Sequence, residues 1–169
     1  GDVIELSSLE VADQKEEMSP IYINSLCTTA IIQIKHKLAP GVELQFNAWE
    51  NEFPIQSSER RIITVLSNLL HNAAKFTPKG SIIVDCRLSD DEKQIEITIT
   101  DTGIGIPEDK QEWVFERFAK VDEFSQGSGL GLSISRLAAQ RIGGDVIIDS
   151  TYKDGCRMLF TFQATKVQN

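Results

Sequence analysis

Two asparagines stand in a segment that otherwise has the composition of a strong helix. The stretch SNLLHNAAKFTPKG, residues 67–80, contains Asn68 and Asn72 four residues apart and then Lys75, and Arg61 lies two turns earlier on the same stripe. Asparagine is a poor helix former because its amide competes with the backbone for hydrogen bonds. On a helix that turns about 100° per residue, the two amides and Lys75 fall within a sector of about 60°. The residue types in this stripe therefore indicate a purpose other than helix stability.

Binding of a metal–phosphate group is the chemistry that suits this stripe. Amide oxygens can coordinate a hard cation such as Mg²⁺, and a lysine ammonium is a point charge suited to phosphate. The alternative is an ordinary water-facing stripe, which is the commoner use of a polar helix face. A separate stripe is predicted to face the core and consists of Ile62, Leu66, Leu69 and Ala73.

Two glycine-rich stretches, DTGIGI at 101–106 and GSGLGL at 127–132, are further candidates for ligand contact. Glycine lets backbone N–H groups approach a ligand closely, and the second stretch opens a predicted helix, whose N-terminus favours anions. Each stretch alone is a weak signal. Neither has the Gly-Lys-Ser/Thr of a Walker loop, and GxGxG differs from the dinucleotide spacing GxGxxG.

The elements that must position these groups alternate between helices and strands. Helices are predicted over about residues 20–38, 59–76 and 130–142, the first capped by Ser19 and the second by Ser57 or Ser58. Strands are predicted over residues 42–48, 81–88, 94–101, 145–151 and 157–165, with one further short strand near the N-terminus. A loop-rich stretch, 103–129, holds a short helical piece at about 111–118. Two strand pairs are predicted hairpins, so the pattern indicates a two-layer α/β sandwich with helices on one face of a mixed sheet.

Bulk properties narrow the function classes. The 169 residues fit one domain, and the chain has no apolar run of membrane-spanning length and no signal peptide. A formal charge of −8 argues against non-specific nucleic-acid binding. Cys27, Cys86 and Cys156 fit neither a disulfide framework nor a zinc pattern, which indicates reduced thiols. Residues 1–17 are predicted to be a linker remnant of a longer protein, and residues 18–169 the domain.

The order of motifs resembles the ATP-binding catalytic domain of sensor histidine kinases, a branch of the superfamily with the Bergerat fold. NLLHNAAKFT resembles the family's N box, DTGIGI its first glycine box, and VFERF its phenylalanine box. GSGLGLSI resembles the second glycine box, and GGDVIIDS the closing strand. The resemblance spans about residues 18–166. It implies a mixed, mostly antiparallel sheet covered on one face by helices.

The resemblance also implies roles at the phosphate groups of Mg·ATP. Asn72 would ligate Mg²⁺, Asn68 would contact phosphate, and Lys75 would neutralise phosphate charge. Arg117 would contact the γ-phosphate, where charge stabilisation matters most in phosphoryl transfer; an exposed lid arginine is the alternative. Asn68, Lys75 and Arg117 are thus the candidate catalytic residues.

Adenine recognition and the lid are implied in the same way. Asp101 would accept a hydrogen bond from the adenine amino group, a position where guanine presents a carbonyl that a carboxylate repels. Phe76 would line the base pocket. The remaining nucleotide-binding residues implied by the motifs are Gly103, Gly105, Ile106, Gly127, Ser128, Gly129, Leu130 and Gly131. The lid, about residues 107–128, is expected to move in the absence of nucleotide.

One position favours a kinase over a hydrolase. The family's hydrolytic members place a glutamate four residues before the metal-binding asparagine, and this chain has Asn68 there. An amide cannot take a proton from water at neutral pH, so the general base is missing. A serine kinase of the anti-sigma-factor type and a degenerate regulatory module remain as alternatives.

The implied partners are ATP, a dimerisation domain that carries the acceptor histidine, and a response regulator. Neither His36 nor His71 fits the acceptor pattern, in which a histidine precedes an acidic residue. The chain is therefore expected to be the catalytic half alone, monomeric, and cytoplasmic, in a parent protein that can be anchored in the inner membrane.

Overall fold

The computed structural model describes residues 17–116 and 131–168. These residues form seven strands: β1 Ser19–Ile21, β2 Glu43–Asn47, β3 Ile55–Ser57, β4 Ser81–Leu88, β5 Gln94–Asp101, β6 Asp145–Ile148 and β7 Cys156–Gln163. The described α-helices are α1 Ile23–Ile34, α2 Glu59–Lys75 and α3 Gly131–Arg141. Short 3₁₀ turns occur at Lys35–Lys37, Glu108–Lys110 and Trp113–Phe115.

Five of the strands form one mixed sheet in the order β2-β4-β5-β7-β6. The β2–β4 pair is parallel and the other three pairs are antiparallel. In β5 the side chains of Ile95, Ile97 and Ile99 are buried, and they alternate with half-buried polar ones, as expected when one face of a sheet is covered. The predicted sheet, its two hairpins and its mixed direction are thus confirmed.

Helix α2 lies at the centre of the helical layer, where it contacts α1, α3 and β5. The Ser58 hydroxyl accepts a hydrogen bond of 3.2 Å from the Arg61 N–H, so Ser58 is the N-cap, one of the two predicted candidates. The predicted apolar stripe is buried, with Leu66 fully inaccessible. Arg61 is also buried, only 2% exposed, so it does not extend the polar stripe to the surface.

The prediction of a helix starting at Pro20 is wrong. Residues Ser19–Ile21 form β1, which pairs antiparallel with β3 in a separate two-stranded sheet. Helix α1 begins only after Tyr22, whose extended backbone (φ −102°, ψ 113°) forms its N-cap. Strand β3 also pairs with the segment at Thr165 and Lys166. The Gln56 N–H donates to the Thr165 carbonyl at 2.7 Å, and Ile55 forms an antiparallel β-bridge with Lys166.

Other predictions have mixed outcomes. The strands at 81–88 and 94–101 have the predicted boundaries, whereas β3 was not predicted. The short helical piece near residue 111 is the 3₁₀ turn Trp113–Phe115. The predicted N-terminal strand lies outside the described residues. Cys27 and Cys86 are buried, Cys156 is half-buried, and all three are free thiols. Across both described ranges, no helix is long and apolar enough to span a membrane.

Candidate functional site

A cavity with about 460 Å³ of space, partly open to solvent, lies between α2, the end of β5 and the first turn of α3. Most of its walls are apolar. The residues that line it are Leu69, Asn72, Ala73, Phe76, Ile99, Asp101, Gly105, Ile106, Leu132, Cys156 and Met158.

Asp101 supplies the carboxylate of this cavity. It is the last residue of β5 and is only 5% exposed. One oxygen, Oδ1, accepts hydrogen bonds from the Gly103 N–H at 2.9 Å and from the Cys156 N–H at 3.1 Å. Burial raises the pKa of the Asp101 carboxyl, and these two hydrogen bonds act in the opposite direction because they favour the charged form. The bonds therefore fix the side chain through one oxygen, in a cavity with little other polar surface.

Gly103 brings the loop after β5 against the end of α2. A Cβ at this position would lie 2.0 Å from the Phe76 carbonyl oxygen, so a side chain does not fit. The same carbonyl accepts a hydrogen bond from the Ile104 N–H at 3.0 Å. The loop and the C-terminus of α2 are thus joined through backbone atoms, and Phe76 and Asp101 are held around one cavity.

The polar stripe of α2 leads from this cavity toward the start of α3. Asn72 is half-buried and lines the cavity. The Asn68 amide Nδ2 donates to the Gly131 carbonyl at 3.2 Å, and the Ser135 hydroxyl donates to the same carbonyl at 2.8 Å. Lys75 is exposed, with its Nζ 5.4 Å from the centre of the Phe76 ring. Two amides and one ammonium thus follow one another along α2, and the middle one, Asn72, lines the cavity.

The phenylalanine motif is docked on α3. Val114 and Phe115 are buried, and the Arg136 guanidinium carbon lies 3.9 Å from the centre of the Phe115 ring. Arg136 Nε also donates to Asp145 Oδ1 at 3.1 Å, which holds the guanidinium between the ring and β6. Phe115 is therefore held against α3.

The structure brings five predicted residues together around the cavity: Asn72, Phe76, Asp101, Gly105 and Ile106. Four more lie next to them, namely Asn68, Lys75, Gly103 and Gly131. Arg117, Gly127, Ser128, Gly129 and Leu130 lie outside the described residues.

Sequence reasoning missed most of the apolar wall. Leu69 and Ala73 were assigned to the core, and they do face it, but they also line the cavity. Ile99, Leu132, Cys156 and Met158 were not assigned to the site at all. Burial and the nearby Asp101 raise the pKa of Cys156 to about 12, so its thiol is neutral and adds to the apolar wall. No residue type marks such positions, since core and cavity walls use the same apolar side chains.

A metal ion at this cavity would need oxygen donors from a bound phosphorylated molecule as well as from the protein. Within residues 17–116 and 131–168, no group of three histidine, cysteine or acidic side chains is placed to hold a cation. The Asn72 amide, half-buried on the cavity wall, is a single oxygen donor. Mg²⁺ commonly takes one or two protein oxygens together with substrate phosphates. The donor set therefore fits a metal that arrives with a phosphorylated ligand.

Comparisons with known proteins identify the family of this chain. Residues 57–166 match the family described as histidine kinase-, DNA gyrase B-, and HSP90-like ATPases. The chain is 31% identical to the adaptive-response sensory kinase SasA of Microcystis aeruginosa over 163 residues, which is 95% of this chain and 42% of that protein. It is 34% identical to the sensor-like histidine kinase SenX3 of Mycobacterium tuberculosis over 168 residues, or 95% of this chain and 40% of that protein.

Solved structures show the same fold. The crystal structure of full-length ShkA in complex with AMPPNP superposes with a TM-score of 0.87 at 25% identity, covering 99% of this chain and 35% of that one. The chain thus spans less than half the length of these relatives. The family match covers the helix with the amides and the Asp101 loop, which both line the cavity, and the phenylalanine motif docked on α3. The chain therefore belongs to the family of histidine kinase-, DNA gyrase B- and HSP90-like ATPases, as an ATP-binding catalytic domain of the histidine kinase type.

Proposed function

We propose that this domain binds Mg·ATP in the cavity and donates the γ-phosphoryl group to a histidine on a separate dimerisation domain, as a step of two-component signalling. The observation that carries the proposal is the arrangement of Asp101. Its Oδ1 is occupied by two backbone N–H groups, and the carboxylate lies in a largely apolar cavity that ends at a stripe of amides.

Adenine would be read by the second carboxylate oxygen, Oδ2. With Oδ1 taken by the Gly103 and Cys156 N–H groups, Oδ2 is the atom that can accept the adenine amino group. The apolar walls at Ile99 and Met158 suit the faces of a purine ring. A guanine carbonyl in the same place would be repelled, which makes Asp101 the selectivity group.

The phosphates would extend along α2. Asn72 would ligate Mg²⁺ together with phosphate oxygens, and Asn68 and Lys75 would contact the phosphates directly. A bound Mg²⁺ would offset phosphate charge during transfer. Arg117 and the glycines at 127, 129 and 131 would close over the nucleotide, with Ser128 and Leu130 between them.

Phosphoryl transfer is favoured over hydrolysis by Asn68. This residue occupies the position where a general base would activate water, and its amide donates to the Gly131 carbonyl. An amide is not basic enough to take a proton from water, so Asn68 cannot act as the general base of hydrolysis. The acceptor histidine would come from the dimerisation domain, and a response regulator would receive the phosphoryl group next.

The proposed setting follows from this chemistry. Because the substrate is ATP, the domain would work in the cytoplasm, and the parent protein can be anchored in the inner membrane. Residues 1–17 would join the domain to the dimerisation segment, the isolated domain would be monomeric, and nucleic acid would not be a partner.

Calorimetric titration with ATP and GTP, each with and without Mg²⁺, tests the proposal. The informative variant is Asp101→Asn, because its amide oxygen can still accept both backbone N–H groups while its NH₂ cannot accept the adenine amino group. The matched control is Asp91→Asn, which removes the same charge from the exposed turn at the opposite end of β4 and β5. We expect ATP binding by the wild type and the control, no GTP binding, and a loss of ATP affinity of roughly a hundredfold for Asp101→Asn.

Transfer is tested separately by adding a histidine-containing dimerisation domain and labelled ATP. The proposal predicts acid-labile label on the added domain and none on this chain. Acid-stable label on a protein serine would favour the anti-sigma-factor type of kinase. ATP binding with no transfer to any supplied dimerisation domain would favour a regulatory module, and stable label on this chain alone would contradict the proposed division of labour.

A further inference from the structure

The turn between β6 and β7, residues 149–155, packs against the end of β5 where Asp101 lies. Gly155 has φ +153°, a conformation that side chains rarely adopt, and a Cβ there would lie 2.0 Å from the Asp101 carbonyl oxygen. The Gly155 carbonyl oxygen in turn lies 3.0 Å from the position that a Cβ of Gly105 would occupy. The turn therefore touches both Asp101 and the glycine loop that follows it.

Tyr152 adds a directional contact from this turn. Its hydroxyl donates a hydrogen bond of 3.1 Å to the Asp101 carbonyl oxygen. Desolvation by burial, first among several causes, raises the pKa of the Tyr152 phenol, so the donor proton is present at neutral pH. Asp101 is thus held at its carbonyl by Tyr152 and at its carboxylate by the Gly103 and Cys156 N–H groups.

Arg157 holds the Tyr152 ring in place. Its guanidinium carbon lies 4.4 Å from the ring centre, within the range of a cation–π contact. Its Nε donates to Thr100 Oγ1 at 3.1 Å, and its NH1 lies 3.5 Å from Asp149 Oδ2. These contacts tie the ring to β5 on one side and to the start of the turn on the other.

We propose that Tyr152 is a positioning residue for base recognition: it fixes the backbone of Asp101 so that the carboxylate oxygen Oδ2 faces the 6-amino group of a purine nucleotide. The proposal rests on the proposed role of Asp101 in reading adenine. Tyr152 does not line the cavity, and it acts only through Asp101. A turn that lies 51 residues further along the chain than Asp101 would therefore set the selectivity of the site.

The test compares two nucleotides that differ only at position 6 of the purine. ATP carries the amino group, and purine riboside triphosphate has a hydrogen atom there. Dissociation constants for both are measured by calorimetry for the wild type, for Tyr152→Phe, and for Tyr22→Phe. Tyr22→Phe is the matched control, since Tyr22 is 53% exposed at the start of α1.

We expect Tyr152→Phe to weaken ATP binding by roughly three- to tenfold, the range for loss of one neutral hydrogen bond. Binding of purine riboside triphosphate should change much less, so the preference of the site for ATP falls. The control should keep the wild-type preference. Arg157→Gln keeps the Tyr152 hydroxyl but removes the cation over the Tyr152 ring, so it should lower the preference for ATP by a smaller factor. If Tyr152→Phe folds poorly, Arg157→Gln is the variant that tests the proposal.

Equal weakening of both nucleotides would mean that Tyr152 only supports the fold, and would overturn the inference. Unchanged affinities would overturn it as well. In both cases a wild-type preference for ATP would leave the role of Asp101 standing. A wild type that binds ATP and purine riboside triphosphate equally well would instead remove the base-reading role of Asp101 and this inference with it.

Discussion

At one end of the cavity Asp101 is 5% exposed and is held by two backbone N–H groups and the Tyr152 hydroxyl. At the other end Asn68 is half-buried, with its amide on the Gly131 carbonyl, and Lys75 is exposed. We call these the base end, comprising Asp101, Gly103, Tyr152 and Cys156, and the phosphate end, comprising Asn68, Asn72, Lys75 and Gly131. The first is built from strand ends and turns, and the second from side chains on one stripe of α2 together with the first residue of α3.

The two ends differ in whether their contacts also hold the fold together. At the base end the residues proposed to read the ligand also join β5, β7 and the end of α2, so binding and folding would share the same contacts. At the phosphate end the proposed ligand groups stand on a helix that its apolar face already anchors. Substitutions at the base end should therefore affect stability and binding together, whereas those at the phosphate end should affect binding alone.

The largest expected effect comes from Gly103→Ala. Its Cβ would lie 2.0 Å from the Phe76 carbonyl oxygen, a backbone atom that cannot swing away. We expect the free energy of unfolding in urea to fall by roughly 2–4 kcal/mol, as for a severe overpacking. Gly131→Ala at the phosphate end is the contrast, because among the described residues no atom outside its chain neighbours and its own helix backbone lies within 4 Å of its Cβ position. A similar loss of stability in both variants would contradict the distinction between the two ends.

An intermediate effect is expected for Asn72→Ala. The side chain lines the cavity but is only half-buried, so the unfolding free energy should stay within about 0.5 kcal/mol of the wild type. Calorimetry should show the dissociation constant for Mg·ATP rising by roughly tenfold or more, and the dependence of binding on Mg²⁺ should weaken. Asn47→Ala, an exposed asparagine on β2, is the control. A large loss of stability in Asn72→Ala would place this residue with the base end instead.

The smallest expected effect is the pH dependence of Asp101. Burial raises its pKa in the folded state above the ordinary value of an aspartate, so the folded protein binds this proton where the unfolded chain has lost it. The contribution of Asp101 to stability should therefore decrease as pH rises through the window between the two pKa values, and be constant above it. ATP affinity should move the other way and fall as pH falls through the raised pKa, because the carboxylate is the acceptor.

Urea unfolding of the wild type and of Asp101→Asn at about pH 4 to 7 measures the first trend, and titration with ATP over the same range measures the second. The comparison predicts that the two trends have opposite signs. Parallel trends would mean that other groups dominate, and the base end would then lack the coupling of folding and binding proposed for it.

Local sequence patterns were sufficient to predict the helices and strands that are determined by their own residues. Helix α2 has an apolar stripe and Ser58 as its cap, and the hairpin of β4 and β5 alternates over eight residues in each strand. Strands β1 and β3 have three residues each and exist only because they pair with each other and with the segment at Lys166. Such pairing is long-range and leaves no periodicity in a three-residue stretch, so the local pattern at Pro20 predicts the start of a helix instead.

The site divides in the same way. Asn68 and Asn72 stand out because asparagine is costly inside a helix, which marks them in the sequence. The role of Asp101 was implied only by the resemblance of DTGIGI to a glycine box of a known family. Tyr152 carries no such mark, since a tyrosine in a turn has many uses. Its proposed role depends on a hydrogen bond to the carbonyl of Asp101, 51 residues earlier in the chain, and only the fold reveals this contact.

The shared strand β3 has a mechanical consequence. Strand β1 and the segment at Thr165 and Lys166 both attach to it, so the chain enters and leaves the described domain at one place. A pulling force applied between residues 18 and 168 would be carried first by these few backbone hydrogen bonds. The strands that hold Asp101 would bear the load only after β3 had yielded, so the nucleotide cavity would keep its shape while neighbouring parts of a longer protein moved against it.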